Sequence, residues 1–511
     1  TLAVHGRIAA MQDADRCPRS LAILLRAVSP GLLLRLLPVI VSMVCSVRRF
    51  QAGDVTPTAT FQLERDIERH LRELGRVILE WTFNHLEPAD PGLLPPQLQW
   101  RGEYYSRRTQ RSPLRRLACL FGPIRLSRYV YRPLEDAEHC LFPLELALGL
   151  VDGTTPALAD HVGRLSADLT QKCVLRELST RGITWGVGTL RKVQQSIASE
   201  LAPFRQQAQA DALLAWLNEA SRGTGPRKPS LSVGRDGIML PVLKNKKYRE
   251  GATATLSVMN RHGQRLGTVY LGQMPEYGQA QLTRQMTDLL LEVLTRWSGP
   301  LPRLAYVSDA GHHPQEYFEQ VLSGMRHPVT GRPLQWERIV DYYHACEYIT
   351  SLAEAIFGKG RDATDWARKM RLILKTKPGG VFRVLHSAAA LKHHRGLHGT
   401  ESEYWTPYCY LRNHAAWMNY SAYRDQRLAI GSGITEAGCK ILFTQRFKQS
   451  GMRWSIESGA TILELRTIKL SGIWTAVRTA WLQSYIPPTT ASPTRLNAQP
   501  THFHRTTAAC S

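Results

Sequence analysis

The chain has 511 residues, enough for about two to four domains with ample hydrophobic cores. Its 65 Lys and Arg outnumber its 42 Asp and Glu, and the resulting net charge of +23 favours nucleic acid as a partner, because neutralising phosphates releases condensed counterions. The nine cysteines form no C-x-x-C pair and no Cys/His zinc spacing, which argues against a disulfide framework and favours a reducing cytoplasm.

The N-terminal segment is apolar but interrupted. Residues 21–45 are mostly aliphatic, yet two arginines and two prolines fall among them, which argues against a transmembrane helix of about 20 uninterrupted apolar residues. The rest of the chain does not resemble an exported protein, so a signal peptide is not favoured either. We expect residues 1–57 to be a poorly ordered leader that could lie upstream of the true start, with Met43 as a candidate start.

Residues 58–220 are expected to form a mainly helical DNA-binding region. Apolar side chains recur at helical spacing over residues 61–78, and three further helices are predicted later in the region. The last two, near residues 172–201, are joined by a short Gly-containing turn, which is the pattern of a helix-turn-helix. Plain helix packing explains the same pattern. The second helix offers four polar side chains to phosphates or base edges: Arg191, Lys192, Gln194 and Gln195.

A β-hairpin is predicted in the same region. Residues 118–132 alternate between apolar and polar side chains around a Gly122-Pro123 turn. The outward positions carry three arginines: Arg125, Arg128 and Arg132. A solvated basic face and a DNA contact explain these arginines equally well.

A change of pattern marks the second half of the chain. Residues 221–230 are rich in Gly, Pro and basic side chains, which predicts a linker between domains. Beyond it, the pattern predicts three strands, a long helix, a strand, a helix and a last strand, hence an α/β sheet with a leading meander. This second domain is expected over residues 231–475, with a helical insertion at about 345–425. The Pro/Thr/Ala-rich residues 486–511 are expected to be disordered.

Three acidic residues far apart in the sequence are candidate metal ligands. Asp236 and Asp309 each close a strand-like run, and ligands gather beyond strand ends in open α/β sheets. Glu436 follows a Gly-Ser-Gly turn at the start of a helical pattern. Hard cations such as Mg²⁺ take oxygen ligands and need only a few carboxylates besides substrate phosphate. A single Asp at a strand end is more often a turn former, so only the combination of the three indicates a metal.

Positive charge dominates the sequence after Glu436. A carboxylate at a helix start beside a basic strip suits a site where metal ions and phosphates meet. Cations that follow a helix are also commonly just solvated. The candidate phosphate contacts in this strip are Lys440, Arg446, Lys448 and Arg453.

Five segments of the chain together carry a family resemblance: GRDG, YVSDAG, IVDYYHACEYI, GSGITEAGCK continuing into RFKQSGMRW, and LRTIKLSGIW. With these segments the sequence resembles bacterial insertion-sequence transposases of the DDE class, close to the Kra-type group, over roughly residues 61–474. The resemblance implies an RNase H-like catalytic core with a mixed sheet and a helical insertion. It also implies that Asp236, Asp309 and Glu436 are the catalytic metal ligands.

The chemistry that the resemblance implies is metal-assisted phosphodiester cleavage and transfer. Two Mg²⁺ (or Mn²⁺) ions about 3.5–4 Å apart would activate the nucleophile and stabilise the leaving oxygen. Water attacks first at the transposon end, and the freed 3′-hydroxyl then attacks target DNA. The expected partners are the terminal inverted repeats, target DNA and further copies of the chain, with no membrane. The expected location is the bacterial cytoplasm, in association with the nucleoid.

Two histidine elements near the acids leave alternatives open. Asp341 and His344 resemble an Asp/Cys-x-x-His signature, and residues three apart at a strand-to-helix junction can meet on one face. Asp341 could then order an imidazole that orients a phosphate, and a buried structural pair is an equal alternative. After Asp309 the chain departs from the Asp-Gly-Ala and Trp pattern of the family, and we expect His312 and His313 to form a polar helix start rather than metal ligands.

Other function classes remain as alternatives to an active transposase. One is a non-cleaving DNA-binding remnant of a transposase. The presence of all three acids argues against it. Another is an RNase H-type nuclease without strand transfer, which the helical insertion and the N-terminal DNA-binding region make less favoured.

Overall fold

The computed structural model describes residues 29–134, 139–243 and 248–490. The chain divides into two compact units. The N-terminal unit comprises Thr1–Asp160, Leu175–Thr189 and Ser484–Ser511, and the C-terminal unit comprises His161–Val174 and Leu190–Gln483. The division therefore falls between residues 160 and 190, and not at the linker of residues 221–230 where the sequence predicted a boundary.

The secondary structure is as follows. The helices in chain order are α1 (Pro30–Ala52), α2 (Pro57–Asn84), α3 (Pro143–Ala147), α4 (Pro156–Asp168), α5 (Gln171–Thr180), α6 (Val187–Arg222), α7 (Ala280–Arg296), α8 (His312–Tyr317), α9 (Tyr342–Phe357), α10 (Arg361–Thr376), α11 (Gly380–Arg395), α12 (Glu401–Asn413), α13 (Tyr420–Asp425), α14 (Gly433–Cys439), α15 (Gln445–Phe447), α16 (Ile456–Leu470) and α17 (Trp474–Gln483). The strands are β1 (Gln97–Trp100), β2 (Glu103–Cys119), β3 (Gly122–Pro133), β4 (Ser230–Pro241), β5 (Tyr248–Met259), β6 (Arg265–Gln273), β7 (Arg303–Ser308), β8 (Trp336–Val340) and β9 (Thr489–Thr490).

Helix α1 corrects the prediction of a poorly ordered leader for the described part of residues 1–57. Pro30 occupies its first turn, where a missing N–H has no cost, and Pro38 is accommodated inside the helix. The Ser46 hydroxyl lies 3.3 Å from Nε2 of His70, which joins α1 to α2. Within the described ranges, α1 is the single helix long and apolar enough to cross a membrane, and most of it is exposed. A signal sequence has the same properties, so length and composition alone assign no membrane location.

The N-terminal unit contains a four-stranded antiparallel sheet in the order β3-β2-β1-β9. Cys119 pairs with Gly122, so the β2–β3 turn lies at residues 120–121 and not at Gly122-Pro123 as predicted. Both strands also extend beyond the predicted hairpin. Arg125 and Arg132 are exposed as expected, but Arg128 is buried and its guanidinium donates to Ser112 O at 2.8 Å.

Strand β9 lies in the C-terminal tail that the sequence predicted to be disordered. Leu98 and Gln99 of β1 pair with Thr490 and Thr489, so this short piece of residues 486–511 is ordered. Residues 491–511 lie outside the described part of the chain.

The predicted helix-turn-helix corresponds to α5 and α6. Gly182 adopts a φ of +73° in the connection between them, a conformation that suits glycine. Helix α6 extends 21 residues beyond the predicted end at residue 201, to Arg222. Its second half packs against the sheet of the C-terminal unit through Leu213 and Leu217, which explains why the unit boundary precedes the linker.

The C-terminal unit is built on a five-stranded mixed sheet in the order β6-β5-β4-β7-β8. Strands β4, β5 and β6 form an antiparallel meander, and β7 and β8 continue the sheet parallel to β4. Strand β5 is buried from residue 251 to residue 259, which indicates that both faces of the sheet are covered there. The predicted α/β architecture with a leading meander is confirmed at this level.

Helices α9 to α13 follow β8 and occupy the position of the predicted insertion. They share one hydrophobic core with the end of the sheet, in which Ile339, Ile349, Leu374 and Leu411 are buried. Helix α12 starts with a capping box in which Thr400 and Glu403 satisfy each other's backbone N–H groups. The chain then returns to the sheet as α14, which carries Glu436.

Candidate metal centre

Asp236 lies inside β4 and not at its end. The strand continues to Pro241, and Asp236 is paired with Thr253 of β5, so the prediction that this acid closes its strand is wrong. Successive side chains of a strand point to opposite faces. Arg235 is buried on one face, where its guanidinium donates to Thr283 Oγ1 at 2.8 Å, and Asp236 therefore points to the other face.

Asp309 follows β7 directly, as the sequence predicted. In the parallel pairing of β4 and β7, Gly234 lies opposite Val307, and continuing this register by two residues places Asp236 opposite Asp309. Paired strands lie about 4.8 Å apart, so the two carboxylates are near neighbours.

Two hydrogen bonds hold the turn that carries Asp309. Its Oδ1 accepts from the backbone N–H of Gly311 at 2.9 Å, and its carbonyl accepts from the hydroxyl of Tyr410 at 2.7 Å. Ala310, between Asp309 and Gly311, has a φ of +62°, an uncommon conformation for a residue with a side chain. The α12 helix of the insertion, through Tyr410, thus fixes the backbone beside this acid.

Glu436 lies in the first turn of α14 and is exposed. The Ser432 hydroxyl donates to its Oε1 at 2.6 Å, which fixes the direction of the carboxylate. One helical turn later, Cys439 donates from its thiol to Oδ2 of Asp236 at 3.3 Å. Residues three apart on a helix lie on the same face, so Glu436 and Cys439 both face the acids of the sheet.

Helix α14 reaches the sheet closely because the contact residues are small. The hydroxyls of Thr435 and Thr255 lie 2.8 Å apart across the interface. A Cβ on Gly234 would lie 2.0 Å from the Thr435 hydroxyl, and one on Gly438 would lie 3.1 Å from a methyl group of Thr253. Any side chain at Gly234 would therefore push α14, and Glu436 with it, away from β4.

The three carboxylates interact electrostatically. Burial raises the pKa of Asp236 above its usual range, the Cys439 thiol opposes this by donating to the carboxylate, and the charges of Asp309 and Glu436 raise the pKa further. A half-buried carboxylate flanked by two more is disfavoured as an anion unless a cation joins the group. An all-oxygen donor set of this kind fits a hard divalent cation such as Mg²⁺ or Mn²⁺.

The predicted contact between Asp341 and the His344 ring is wrong. Asp341 is fully buried and caps α9: its Oδ1 accepts from the backbone N–H of His344 at 2.7 Å, and its Oδ2 accepts from the backbone N–H of Ser432. The His344 ring turns away, with Nδ1 3.2 Å from Glu347 Oε2. Asp341 is therefore structural, and it ties the end of β8 to the loop that precedes Glu436.

Arg446 does not fit the prediction of a phosphate contact. It is 1% exposed, with its guanidinium over the Trp454 ring and within 3.4 Å of the Ser166 carbonyl. Burial, and next the neighbouring charge of Arg466, lowers the pKa of Arg446 to about 10. It packs as a core residue between the Trp454 ring, the Ser166 carbonyl and the Met452 sulfur.

The other basic residues of the strip are exposed, as a phosphate contact requires. Lys448 and Arg453 line one pocket together with Tyr248, and that lining includes no acidic side chain. Neither of the two cations has an ion pair with any residue in the described ranges. Lys440, directly after the helix that carries Glu436, is exposed too.

The candidate DNA contacts of α6 differ in exposure. Arg191, Lys192 and Gln195 are exposed and open to a ligand. Gln194 is 2% exposed, and its amide donates to the Ser166 hydroxyl at 2.8 Å, so it cannot reach a base or phosphate. The structure thus removes one of the four candidates on this helix.

Cys439 belongs to the site although its sequence position indicated only a small core residue. Burial, and next the negative charge of Asp236, raises the pKa of its thiol well above the usual range. Because the thiolate is the reactive form, we expect iodoacetamide to modify Cys439 at least about a hundredfold more slowly than the exposed Cys45 and Cys140 in the folded protein.

Timed labelling at mildly alkaline pH, followed by peptide mass spectrometry, measures these rates. In denaturant all three cysteines should react at similar rates, which provides the control. Equal labelling of Cys439 and Cys45 in the folded protein would show that the thiol is neither buried nor bonded to Asp236.

Compared with known proteins, the chain matches no protein-family model and no curated protein.

Proposed function

We propose that this protein is a DDE-class transposase that cuts DNA at transposon ends and joins them to target DNA. The observation that supports it most is the convergence of Asp236, Asp309 and Glu436 on one face of the sheet. These residues come from two neighbouring strands and one helix, and the pKa of Asp236 responds to the charges of both other acids. A carboxylate with a raised pKa that lies beside two further carboxylates is typical of functional sites.

The sheet is compatible with the RNase H-like core that the sequence resemblance implies. Its antiparallel meander is extended by two parallel strands, one of which, β7, leads directly into Asp309. The helical block α9–α13 stands between β8 and the helix of Glu436, as expected for an insertion in such a core. This architecture supports the proposal without being sufficient for it, because a fold alone does not specify a function.

The chain's own residues have distinct roles in the proposed reaction. Asp236, Asp309 and Glu436 would hold two Mg²⁺ or Mn²⁺ ions, which supply activation of the attacking hydroxyl and stabilisation of the leaving oxygen when bound. Ser432 directs the Glu436 carboxylate, and Cys439 directs that of Asp236. Both donors keep the acids oriented, so that little reorganisation is required when the cations bind.

The pocket of Lys448, Arg453 and Tyr248 is the proposed contact for the DNA backbone. It combines two exposed cations, neither of which has an ion pair among the described residues, with Tyr248, which is 61% exposed. Its location in the same unit as the acids, at the far end of β4 and the start of β5, allows one DNA strand to be bound and cut by the same unit.

Replacing Lys448 and Arg453 with alanine tests this contact. Each phosphate contact adds about 0.9 to the slope of log K against log salt, so the double variant should lower that slope by roughly 1.8 and weaken binding of a short duplex at least about tenfold. Fluorescence anisotropy over a range of salt concentrations measures both.

Two further variants provide the comparison. Lys369→Ala, at an exposed position of α10, should leave affinity and slope unchanged. Arg446→Ala should lower thermal stability rather than the salt slope, because this arginine is buried. An unchanged slope in the Lys448/Arg453 variant would remove the pocket from the DNA path.

The proposed activity as a whole is tested with plasmid DNA that carries the gene and its natural flanks. The expected result is nicking and strand joining that depend on Mg²⁺ or Mn²⁺ and cease with a chelator. DNA binding without any cleavage would favour the alternative of a non-cleaving transposase remnant. Cleavage without joining would favour a nuclease.

A further inference from the structure

A second cluster of potential metal ligands lies at the start of α8. The ligand atoms of His312, His313 and Glu316 are all within 4.8 Å of one another. Glu316 Oε2 lies 4.0 Å from Nδ1 of His312 and 3.6 Å from Nδ1 of His313. The predicted role of the two histidines as a helix start is also seen, since α8 begins at His312.

These distances are close to those of a bound transition metal. Zn²⁺ takes nitrogen and carboxylate ligands at about 2.0–2.2 Å in a tetrahedral arrangement, which places neighbouring ligand atoms about 3.3–3.5 Å apart. Side-chain movements of less than about 1 Å would bring the three atoms to that spacing. We propose that His312, His313 and Glu316 form a binding site for Zn²⁺ or a chemically similar divalent transition metal.

The backbone that carries the three ligands is fixed in advance. The N–H of Gln315 donates to the Gly311 carbonyl at 2.9 Å, and the buried hydroxyl of Tyr306 donates to the Pro314 carbonyl at 2.9 Å. Pro314 further restricts the first turn. Binding a metal therefore requires only side-chain ordering.

Two side-chain atoms of the cluster favour a ligand. Nδ1 of His313 is buried and has no hydrogen-bond partner within the described ranges, a state that costs free energy until a ligand satisfies it. Gln320 donates to Oε1 of Glu316 at 3.2 Å, which leaves Oε2 directed toward the histidines. A partner on the second carboxylate oxygen is typical of metal-ligating carboxylates.

The donor set distinguishes this site from the carboxylate centre. Two imidazoles and one carboxylate select zinc, cobalt or nickel over Mg²⁺, whereas three carboxylates select hard cations. The inference therefore does not rest on the proposed transposase activity. It requires only that the full-length chain binds a transition metal at α8.

Metal titration of the full-length protein tests the proposal. Co²⁺ added to the chelator-treated protein should give visible d–d absorption from one bound ion per chain, and Zn²⁺ should displace it. In the variants His313→Ala and Glu316→Gln, the affinity for Co²⁺ and Zn²⁺ should fall about tenfold or more, because each loses one ligand. The absence of cobalt absorption in the native protein would overturn the proposal.

Two control variants separate this site from other possibilities. Another pair of adjacent histidines, His393 and His394, is exposed and has ring centroids 5.2 Å apart, and replacing both with alanine should leave cobalt binding unchanged. The double change Asp236→Asn and Asp309→Asn should also leave it unchanged while abolishing any DNA cleavage. Loss of cobalt binding in either control, with normal binding in His313→Ala, would place the ion elsewhere.

Discussion

Replacing Asp236 with asparagine should reduce Mg²⁺-dependent DNA cleavage by at least about a thousandfold, because a correctly held metal ion contributes several kcal/mol of charge stabilisation in the transition state. The substitution keeps the size of the side chain but removes its negative charge. The hydrogen bond that the side chain accepts from Cys439 becomes weaker. DNA affinity measured without divalent cations should stay within about twofold, since Asp236 lies outside the basic residues proposed to contact phosphates. Gel assays of cleavage and anisotropy assays of binding separate the two effects.

The same substitution should stabilise the metal-free folded protein, although it lowers the rate of cleavage. Asp236 is a half-buried acid whose pKa is raised by desolvation and by its two acidic neighbours, so its charged form destabilises the metal-free fold. Its folded-state pKa lies above the unfolded value, so this destabilisation is greatest at neutral pH and is relieved as the pH falls through the raised pKa. Asp236→Asn should therefore melt at or above the native temperature without metal, and Mg²⁺ should raise the melting temperature of the native protein more than that of the variant.

A matched control tests whether removing any carboxylate charge from this unit has the same effect. Asp288 is exposed on α7, and Asp288→Asn should leave cleavage and the Mg²⁺ response unchanged. Cleavage by Asp236→Asn at more than about a tenth of the native rate would remove Asp236 from the metal site, because a lost metal ligand costs far more than that.

Replacing Asp341 with alanine should have the largest effect on stability, lowering the free energy of unfolding by about 2–4 kcal/mol. This carboxylate is fully buried and accepts two backbone N–H groups, from His344 and Ser432, that no other residue in the described ranges is placed to satisfy. Ser432 also directs Glu436, so cleavage should fall as well, even at temperatures where the variant is folded. Urea unfolding followed by circular dichroism measures the first effect.

Asp90 offers the comparison for this experiment. It too caps a helical turn, through the N–H of Gly92 at 2.8 Å, but it is exposed. Asp90→Ala should cost about 1 kcal/mol or less, because water can replace its oxygen. If Asp341→Ala were no more destabilising than Asp90→Ala, the link between β8 and the Glu436 loop would not be important for stability.

The order of strands and helices in the C-terminal unit was predictable because it depends on local periodicity. Asp309 could be placed at a strand end from the apolar run before it. The position of Asp236 was mistaken because Gly237 suggests a turn, whereas here the residue continues a strand opposite Ala252. Sequence alone could not reveal the register of β4 and β7, which is what brings the two acids together.

Contacts between distant segments account for most of the other errors. Arg446 and Lys448 are two residues apart in the same basic strip, yet Trp454 and Ser166 bury the first and leave the second exposed. The hydroxyl of Ser432 and the thiol of Cys439 could not be assigned to the site before the approach of α14 to the sheet was known. Helix α1 was not predicted because its prolines were expected to interrupt a helix. In the structure, Pro30 lies in the first turn and Pro38 is tolerated at one interior position.

The buried arginines change what the formal charge of the protein means for its solution behaviour. Arg128, Arg235, Arg338, Arg446 and Arg466 are each at most 5% exposed. A buried guanidinium cannot approach a phosphate, so these five arginines count toward the net charge of +23 but make no direct contact with a polyanion. Direct contacts with a polyanion must therefore come from exposed cations such as Lys448 and Arg453.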